Sequence, residues 1–350
     1  MSQTDAANSE EKPKKSRWRT LRVFVLNTGG AVGRRIKQWS GKQFVYVAAA
    51  LWVMGTSVRF SVRDSFTLTS PIFYATPVPC LLAAGIFVAY RWQTRRFLRA
   101  TLFTILVVQA ALWLHSTFSF LEEPDLEVTN TKRILLWNTY HGELGYQRVA
   151  RDIASSNCDF AAIIETGETG QDIDHWKRLL PEYEAITVGA TMALFVKSKG
   201  ERVQAELIHQ DSISGVCRYR VLEIHDSGQL WRLLMIDIQS NPLMFRRPAF
   251  KRLAELAEQY SDAPLIIAGD FNTPVDSVHA DLLREQMTNA WESVGNGYRE
   301  TWPTFLPIFV LDQLWGNDKI DWQRCWCNAK WSSDHRQVIA EFSIIDREGK

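Results

Sequence analysis

Pro264-Leu265-Ile266-Ile267-Ala268-Gly269-Asp270-Phe271-Asn272-Thr273-Pro274 is the stretch on which the fold turns. A short apolar segment ends abruptly in an acid and an amide. It predicts a buried strand that delivers Asp270 and Asn272 to a sheet edge. Residues i and i+2 of an extended chain point the same way, so carboxylate and carboxamide face one site. Taken alone, a GDxN turn is also what a loop with local side-chain hydrogen bonds would use.

Two further pieces repeat the pattern. Phe160-Ala161-Ala162-Ile163-Ile164-Glu165 ends an apolar strand in a lone Glu. Ser332-Ser333-Asp334-His335 sets an acid and an imidazole beside the apolar run Val338-Ile339-Ala340. Each is unremarkable singly, since strand-end acids and Asp-His pairs are common on surfaces. Together, carboxylates, an amide and a His at strand ends are what metal-assisted phosphate chemistry requires.

Around these pieces the pattern alternates between strand and helix. Strands are expected over 133–137, 159–164, 184–188, 193–197, 202–209, 216–225 and 230–238, with a hairpin turn at Asp226-Ser227-Gly228-Gln229. Further strands are expected over 265–268, 309–315, 320–327 and 337–344. Helices are expected over 144–156 and 246–260, the second with Phe250, Leu253, Leu256 and Ala257 on one face. This suits an α/β sandwich of two sheets with outer helices.

The N-terminal third differs. Three apolar runs, Phe44 to Val58, Ile72 to Tyr90 and Ala100 to Leu114, precede the alternating region. A membrane helix needs about 20 mostly apolar residues. The second run reaches that length despite Pro77 and Pro79, and the other two are a little short but flanked by aromatic and basic residues. The alternative is a buried helical hairpin in a soluble domain. The run starts too late for a cleaved signal peptide. Ten Lys or Arg lie between Lys12 and Lys42, and four Arg lie between Arg91 and Arg99, whereas Glu122, Glu123, Asp125 and Glu127 follow the third run. The positive-inside rule then places the N-terminus and the Arg loop in the cytoplasm. Three spans put everything after residue 120 outside, in a multi-pass protein of the cell (inner) membrane. If the first run does not span, that region falls back inside. The overall net charge of +1 makes no global case for a nucleic-acid partner. Of the five cysteines, Cys325 and Cys327 form a C-x-C too far apart for an easy bridge, no C-x-x-C zinc spacing occurs, and other pairings in an exported domain stay open.

From about residue 131 to 345 the chain resembles the endonuclease/exonuclease/phosphatase superfamily. The resemblance rests on Ile134-Leu135-Leu136-Trp137-Asn138, Ile163-Ile164-Glu165, Gly269-Asp270-Phe271-Asn272, the Asp of Leu311-Asp312-Gln313-Leu314, and Ser333-Asp334-His335, in that order. It implies a four-layer, two-sheet α/β sandwich of deoxyribonuclease I type, preceded here by transmembrane helices. The expected divisions are a basic, partly disordered segment 1–42, a transmembrane region 43–118, an acidic linker 119–131 and a catalytic domain 132–350. It implies a Mg²⁺ or Mn²⁺ cofactor held by Glu165, with Asn138 beside it and Asp334 completing the site. Asp270 would orient or deprotonate the attacking water, and Asn272 would hold that water or a phosphate oxygen. His335 would donate to the phosphoryl oxygen, with Asp312 fixing its tautomer. The superfamily pattern departs at one place: Asp237, in Leu233-Leu234-Met235-Ile236-Asp237-Ile238, stands where a His is expected. An Asp there donates only when protonated, so it is left as a substrate-binding or metal-binding group.

His141 and Arg247 are further substrate-binding candidates, and His175, His209, His225 and His279 read as ordinary surface residues. The implied activity is hydrolysis of phosphodiester bonds at a membrane. Nucleic acid is the first substrate class and a phospholipid or sphingomyelin headgroup the second. Neither W-x-G-D-x-N nor P-x-W-D-R-I, the marks of inositol polyphosphate phosphatases, is present. The alternative from a different class is a catalytically inactive binding domain of the same fold. No protein partner is implied.

Overall fold

The computed structural model describes residues 41–91, 96–120, 130–167, 172–189, 191–197 and 203–345. Most of the basic segment, residues 92–95 of the Arg loop and residues 121–129 of the acidic linker lie outside the described residues.

The apolar runs form α1 (Gly41–Phe60), α2 (Ser70–Ala75), α3 (Val78–Arg91) and α4 (Arg96–Thr117). The second run is therefore not one helix, as its length suggested. It breaks at Thr76-Pro77, because a residue before proline is pushed out of the helical region, and Thr76 has φ −123° and ψ 59°. Among the described residues only α4 is both long and apolar enough to cross a membrane, while α3 is apolar but shorter. Trp52, Leu81, Val88, Leu102 and Leu106 pack inside the bundle. Gly85 admits this packing, since a Cβ there would lie 2.5 Å from Leu106 and 2.7 Å from Trp52. Phe44, Leu51, Val53, Phe103, Val107 and Leu112 point outward and are exposed.

Next come β1 (Phe118–Phe120), β2 (Lys132–Asn138), α5 (Tyr146–Ser156), β3 (Phe160–Ile164), α6 (Ile173–Leu179), β4 (Tyr183–Gly189) and β5 (Met192–Lys197). A three-strand meander follows as β6 (Gln204–Ile213), β7 (Cys217–Asp226) and β8 (Gln229–Ile238), then α7 (Arg247–Gln259) and β9 (Leu265–Asp270). The chain ends through α8 (Asp281–Arg284), β10 (Thr288–Asn289), α9 (Ala290–Val294), β11 (Asn296–Tyr298), β12 (Asp312–Gly316), β13 (Ile320–Asn328) and β14 (Gln337–Ile344). The β7–β8 turn falls at the expected residues, with Ser227 and Gly228 both at positive φ.

Two six-stranded sheets result, ordered β10-β12-β9-β8-β7-β6 and β13-β14-β2-β3-β5-β4. The crossovers through α5 and α7 make β2–β3 and β8–β9 parallel, while the other pairs in these sheets are antiparallel. The sheets face each other across one apolar core that includes Leu136, Ala162, Leu194, Leu233, Ile266 and Leu314. A second core lies between the first sheet and α7, and a third between the second sheet and α5 and α6. This is the four-layer α/β sandwich expected from the alternation. The β9 strand is apolar up to its terminal Asp270 because it is buried on both faces.

The helical bundle is tied to the sandwich. The β1 strand pairs antiparallel with β11. Arg59 reaches Asp276 at 2.5 Å, and Thr117 donates to Glu300 at 2.9 Å.

Candidate active site

The register of the first sheet sets three carboxylates in a row. Asp237 on β8 is opposite Asp270 on β9, which is opposite Asp312 on β12. Gly269 precedes this row because a Cβ there would lie 2.0 Å from the carbonyl oxygen of Ile236. In the facing sheet, Asn138 closes β2 and Glu165 follows β3. The two sheets meet where Asn138 Nδ2 donates to Asp270 Oδ2 at 2.9 Å.

The Asp270 carboxylate is fixed on both oxygens. Its Oδ1 accepts the backbone N–H of Asn272 at 2.8 Å, and its Oδ2 also accepts Asn272 Nδ2 at 3.1 Å. The same amide donates to the Ile238 carbonyl at 2.7 Å, locking its orientation. Asp312 Oδ2 holds His335 Nδ1 at 2.8 Å, and His335 Nε2 lies 3.9 Å from Asp270. Ser333 buttresses this side by donating to the Asn138 carbonyl and accepting the His335 N–H. All of Asn138, Asp270, Asp312 and His335 are buried.

Burial pushes Asp270 up, and the neighbouring Asp312 pushes it further. Burial alone would lower His335, but the carboxylates of Asp312 and then Asp270 outweigh it and raise the imidazole to about 10. His335 is thus protonated at neutral pH. Asp237 is pushed up to about 6, first by burial and then by the charge of Glu165, with Arg218 working against both. Arg218 Nη2 sits 3.3 Å from it.

The cleft over this cluster holds about 440 Å³. Glu165, His141, Tyr140, Asp334, Asn272 and His335 line it with polar groups, and Tyr74, Trp302, Phe309 and Leu311 add aromatic and apolar surface. Tyr140, His141, Glu165 and Asn272 all have positive φ, at 50°, 52°, 55° and 44°. Backbone held in this sparsely populated region costs energy, and the surrounding structure must over-determine it. Four such residues around one cleft single it out as the candidate site.

Two groups of side chains could hold a cation. Asp270, Asp312 and His335 offer ligand atoms within 4.8 Å of one another. A protonated imidazole has no free lone pair, however, and its Nδ1 is already spent on Asp312. The open side fits better. Glu165 is half-buried, with His141 Nε2 3.2 Å from its carboxylate. Asp334 Oδ2 accepts Trp302 Nε1 at 3.3 Å, while its Oδ1 is buried with no partner among the described residues. With Asn138 these are hard oxygen donors, the set Mg²⁺ prefers.

Of the residues read from the sequence, Asn138, Asp270, Asn272, Asp312 and His335 come together in one bonded cluster, and Glu165, Asp334 and His141 line the cleft above it. Asp237 stands buried at the end of β8, beside Glu165. Arg247 differs: it is exposed at the start of α7 and does not line the cleft. Its neighbour Arg246 turns inward and is buried, with Nε and Nη1 lacking a hydrogen-bond partner among the described residues. The Arg-Arg-Pro helix start signalled an arginine there, but not which one faces inward. His279 is also not a surface residue, being 1 % exposed and 4.0 Å from Asp64. His225 is exposed, and His175 and His209 are half-buried. All five cysteines are free thiols. Tyr74 is a cleft residue that sequence reasoning missed.

The profile of the Endonuclease/Exonuclease/phosphatase family matches residues 135–335. An endonuclease/exonuclease/phosphatase family protein of Bacteroides thetaiotaomicron superposes with a TM-score of 0.50 at 13 % identity, covering 62 % of this chain and 99 % of that one. A humanized D. rerio TDP2 carrying 14 mutations superposes with a TM-score of 0.50 at 15 % identity, covering 61 % and 99 %. At these identities the likeness is one of fold. No curated protein matches the chain in sequence.

Proposed function

The chain belongs to the Endonuclease/Exonuclease/phosphatase family, and from that premise we propose that it is a divalent-metal-dependent phosphodiesterase anchored to a membrane by its helical bundle. The observation that carries the reading is the aligned row Asp237–Asp270–Asp312 facing Asn138 and Glu165 across the sandwich.

Phosphodiesters resist hydrolysis because the nucleophile approaches an anion. A Mg²⁺ or Mn²⁺ ion held by Glu165, Asn138 and Asp334 would neutralise that charge. Asp270 has its orientation fixed by three hydrogen bonds and its proton affinity raised by burial, so it is suited to take a proton from water. Asn272 is positioned to hold that water. His335, kept charged by Asp312, donates from Nε2 to a phosphoryl oxygen as negative charge builds. Asp237 replaces the expected His, and its raised proton affinity lets it carry a proton near neutral pH. It can therefore assist the leaving group more weakly than an imidazole would.

Between the two substrate classes, we place a lipid phosphodiester ahead of nucleic acid. The cleft shares Pro274 and Phe309 with a crevice lined by Arg59 of α1, Val78 of α3 and Trp113 of α4. If these helices span a bilayer, as their outward apolar faces suit, the site opens at the lipid surface. Three spans would put the sandwich outside the cytoplasm, which a topology reporter fused after residue 345 would check. The direct test uses the full chain in detergent with phospholipid, sphingomyelin, DNA and RNA, each with Mg²⁺ and with EDTA. Metal-dependent release from a lipid supports the reading. Full turnover of any of them in excess EDTA refutes metal dependence, and nucleic-acid cleavage without lipid cleavage reverses the substrate order.

A further inference from the structure

We infer that the helical bundle completes the active site, with Tyr74 of α2 acting as a substrate-positioning residue that packs against the organic group of the phosphoester. This rests on the phosphodiesterase reading above. Three observations carry it.

First, Tyr74 lines the same cleft as Glu165, Asp270 and His335, although it comes from the other part of the chain. Second, its position is built rather than incidental. Tyr74 Oη donates to Asp64 Oδ2 at 3.0 Å. The same Asp64 is fully buried and accepts Ser277 Oγ at 2.5 Å and the Val278 N–H at 3.0 Å. Ser277 and Val278 belong to the loop that follows Asp270 and Asn272. One buried carboxylate thus ties the tyrosine of the bundle to the loop of the catalytic acid. Arg63 adds a bond to the Asp276 carbonyl at 3.1 Å. Third, the lining is mixed. Tyr74, Trp302, Phe309 and Leu311 give apolar and aromatic surface in the same cleft as the ionisable groups, with Trp302 Nε1 3.3 Å from Asp334 Oδ2. A phosphoryl group seated on the ionisable groups leaves its organic substituent within reach of these aromatic and apolar side chains.

Such a residue acts by contact with the substrate and not on the reacting atoms. Its signature is discrimination by the organic group. Bis(p-nitrophenyl) phosphate and methyl p-nitrophenyl phosphate expel the same p-nitrophenolate but retain an aryl or a methyl group. Full-length protein in detergent with Mg²⁺ is assayed on both. Aromatic packing of the usual strength predicts that the ratio of kcat/KM, aryl over methyl, falls about five- to tenfold in Tyr74→Ala, chiefly through KM. Tyr74→Phe keeps the ring and should restore most of the ratio. If Tyr74→Ala does not fold, as judged by melting, Tyr74→Leu keeps the bulk but not the flat face, and its ratio should still fall. An active wild type whose soluble Ala or Leu variant discriminates as the wild type does overturns the assignment of Tyr74 alone. A wild type that releases no p-nitrophenolate from either diester overturns the phosphodiesterase reading, and this inference with it.

Discussion

The two sides of the cleft are built on opposite principles. On the buried side, Asp270, Asp312 and His335 are closed in by protein. Both oxygens of Asp270 are spoken for, and the imidazole is fixed by a 2.8 Å bond. On the open side, Glu165 and Asp334 line the cleft with the buried Asp237 behind them, and little balances this negative charge beyond His141 and Arg218. A side whose charges are matched internally is suited to moving protons. A side whose carboxylates are under-compensated is suited to receiving a cation. The division teaches that the motif residues are not one set of interchangeable acids, and each side should fail in its own way.

The largest expected effect is on the open side. Glu165→Gln keeps the shape and removes the charge. Turnover should fall about 10³-fold or more, since metal charge stabilisation is worth several kcal/mol. Excess Mg²⁺ should recover part of it. Steady-state rates over a Mg²⁺ series check this, and unchanged rates would erase the distinction between the sides.

On the buried side, Asp270→Asn and His335→Ala should each reduce turnover about 10²- to 10⁴-fold. Here added Mg²⁺ should recover nothing. Melting curves must accompany the kinetics, because an unfolded variant would mimic the loss.

Asp312→Asn should act on stability as well as rate. His335 has its proton affinity raised in the folded state, so its stabilising contribution is fully present below about pH 6.5 and lost as pH rises through about 10. Breaking a buried pair costs about 3–5 kcal/mol. The stability gap between wild type and Asp312→Asn should therefore be of that order at pH 6 and close as pH approaches 10. Denaturant melts across that range read it, and a gap that widens with pH would contradict the charge assignment.

The smallest effect on rate should come from Asp237→Asn, about tenfold or less. Its carboxyl is raised rather than lowered in the folded state, so ionising it costs stability above about pH 6 and nothing below about 3.8. In metal-free protein at pH 7 the variant should be more stable, on the order of 2 kcal/mol. That gain should vanish as pH falls toward 4.

How much of this was legible in the sequence follows from the range of the signals. Apolar runs that end in an acid state the strands and their ends locally, so β2, β3, β9 and the residues Asn138, Glu165 and Asp270 could be read directly. The alignment of Asp237, Asp270 and Asp312 is a matter of register between strands, which the pattern of one strand does not contain. The second apolar run has the length of a span, yet the proline after Thr76 had already marked its break. Short α6 was missed because its seven residues are too few for a helical period, although Asp172 caps it by accepting the N–H groups of Asp174 and His175. Tyr74 carried no local mark at all. It sits in an apolar run, and only the docking of Asp64 on the loop at Ser277 brings it to the cleft. His279 is hidden by the same docking.

The division of the cleft is tested most directly by counting bound Mn²⁺ in the full-length protein, from the electron paramagnetic resonance signal of the free ion, for wild type, Glu165→Gln and Asp312→Asn. The expected result is that wild type and Asp312→Asn bind alike, while Glu165→Gln binds at least about tenfold more weakly, as loss of a ligand to a cation with few protein ligands requires. If Asp312→Asn loses the ion and Glu165→Gln keeps it, the buried trio is the metal site and the assignment of the two sides is wrong.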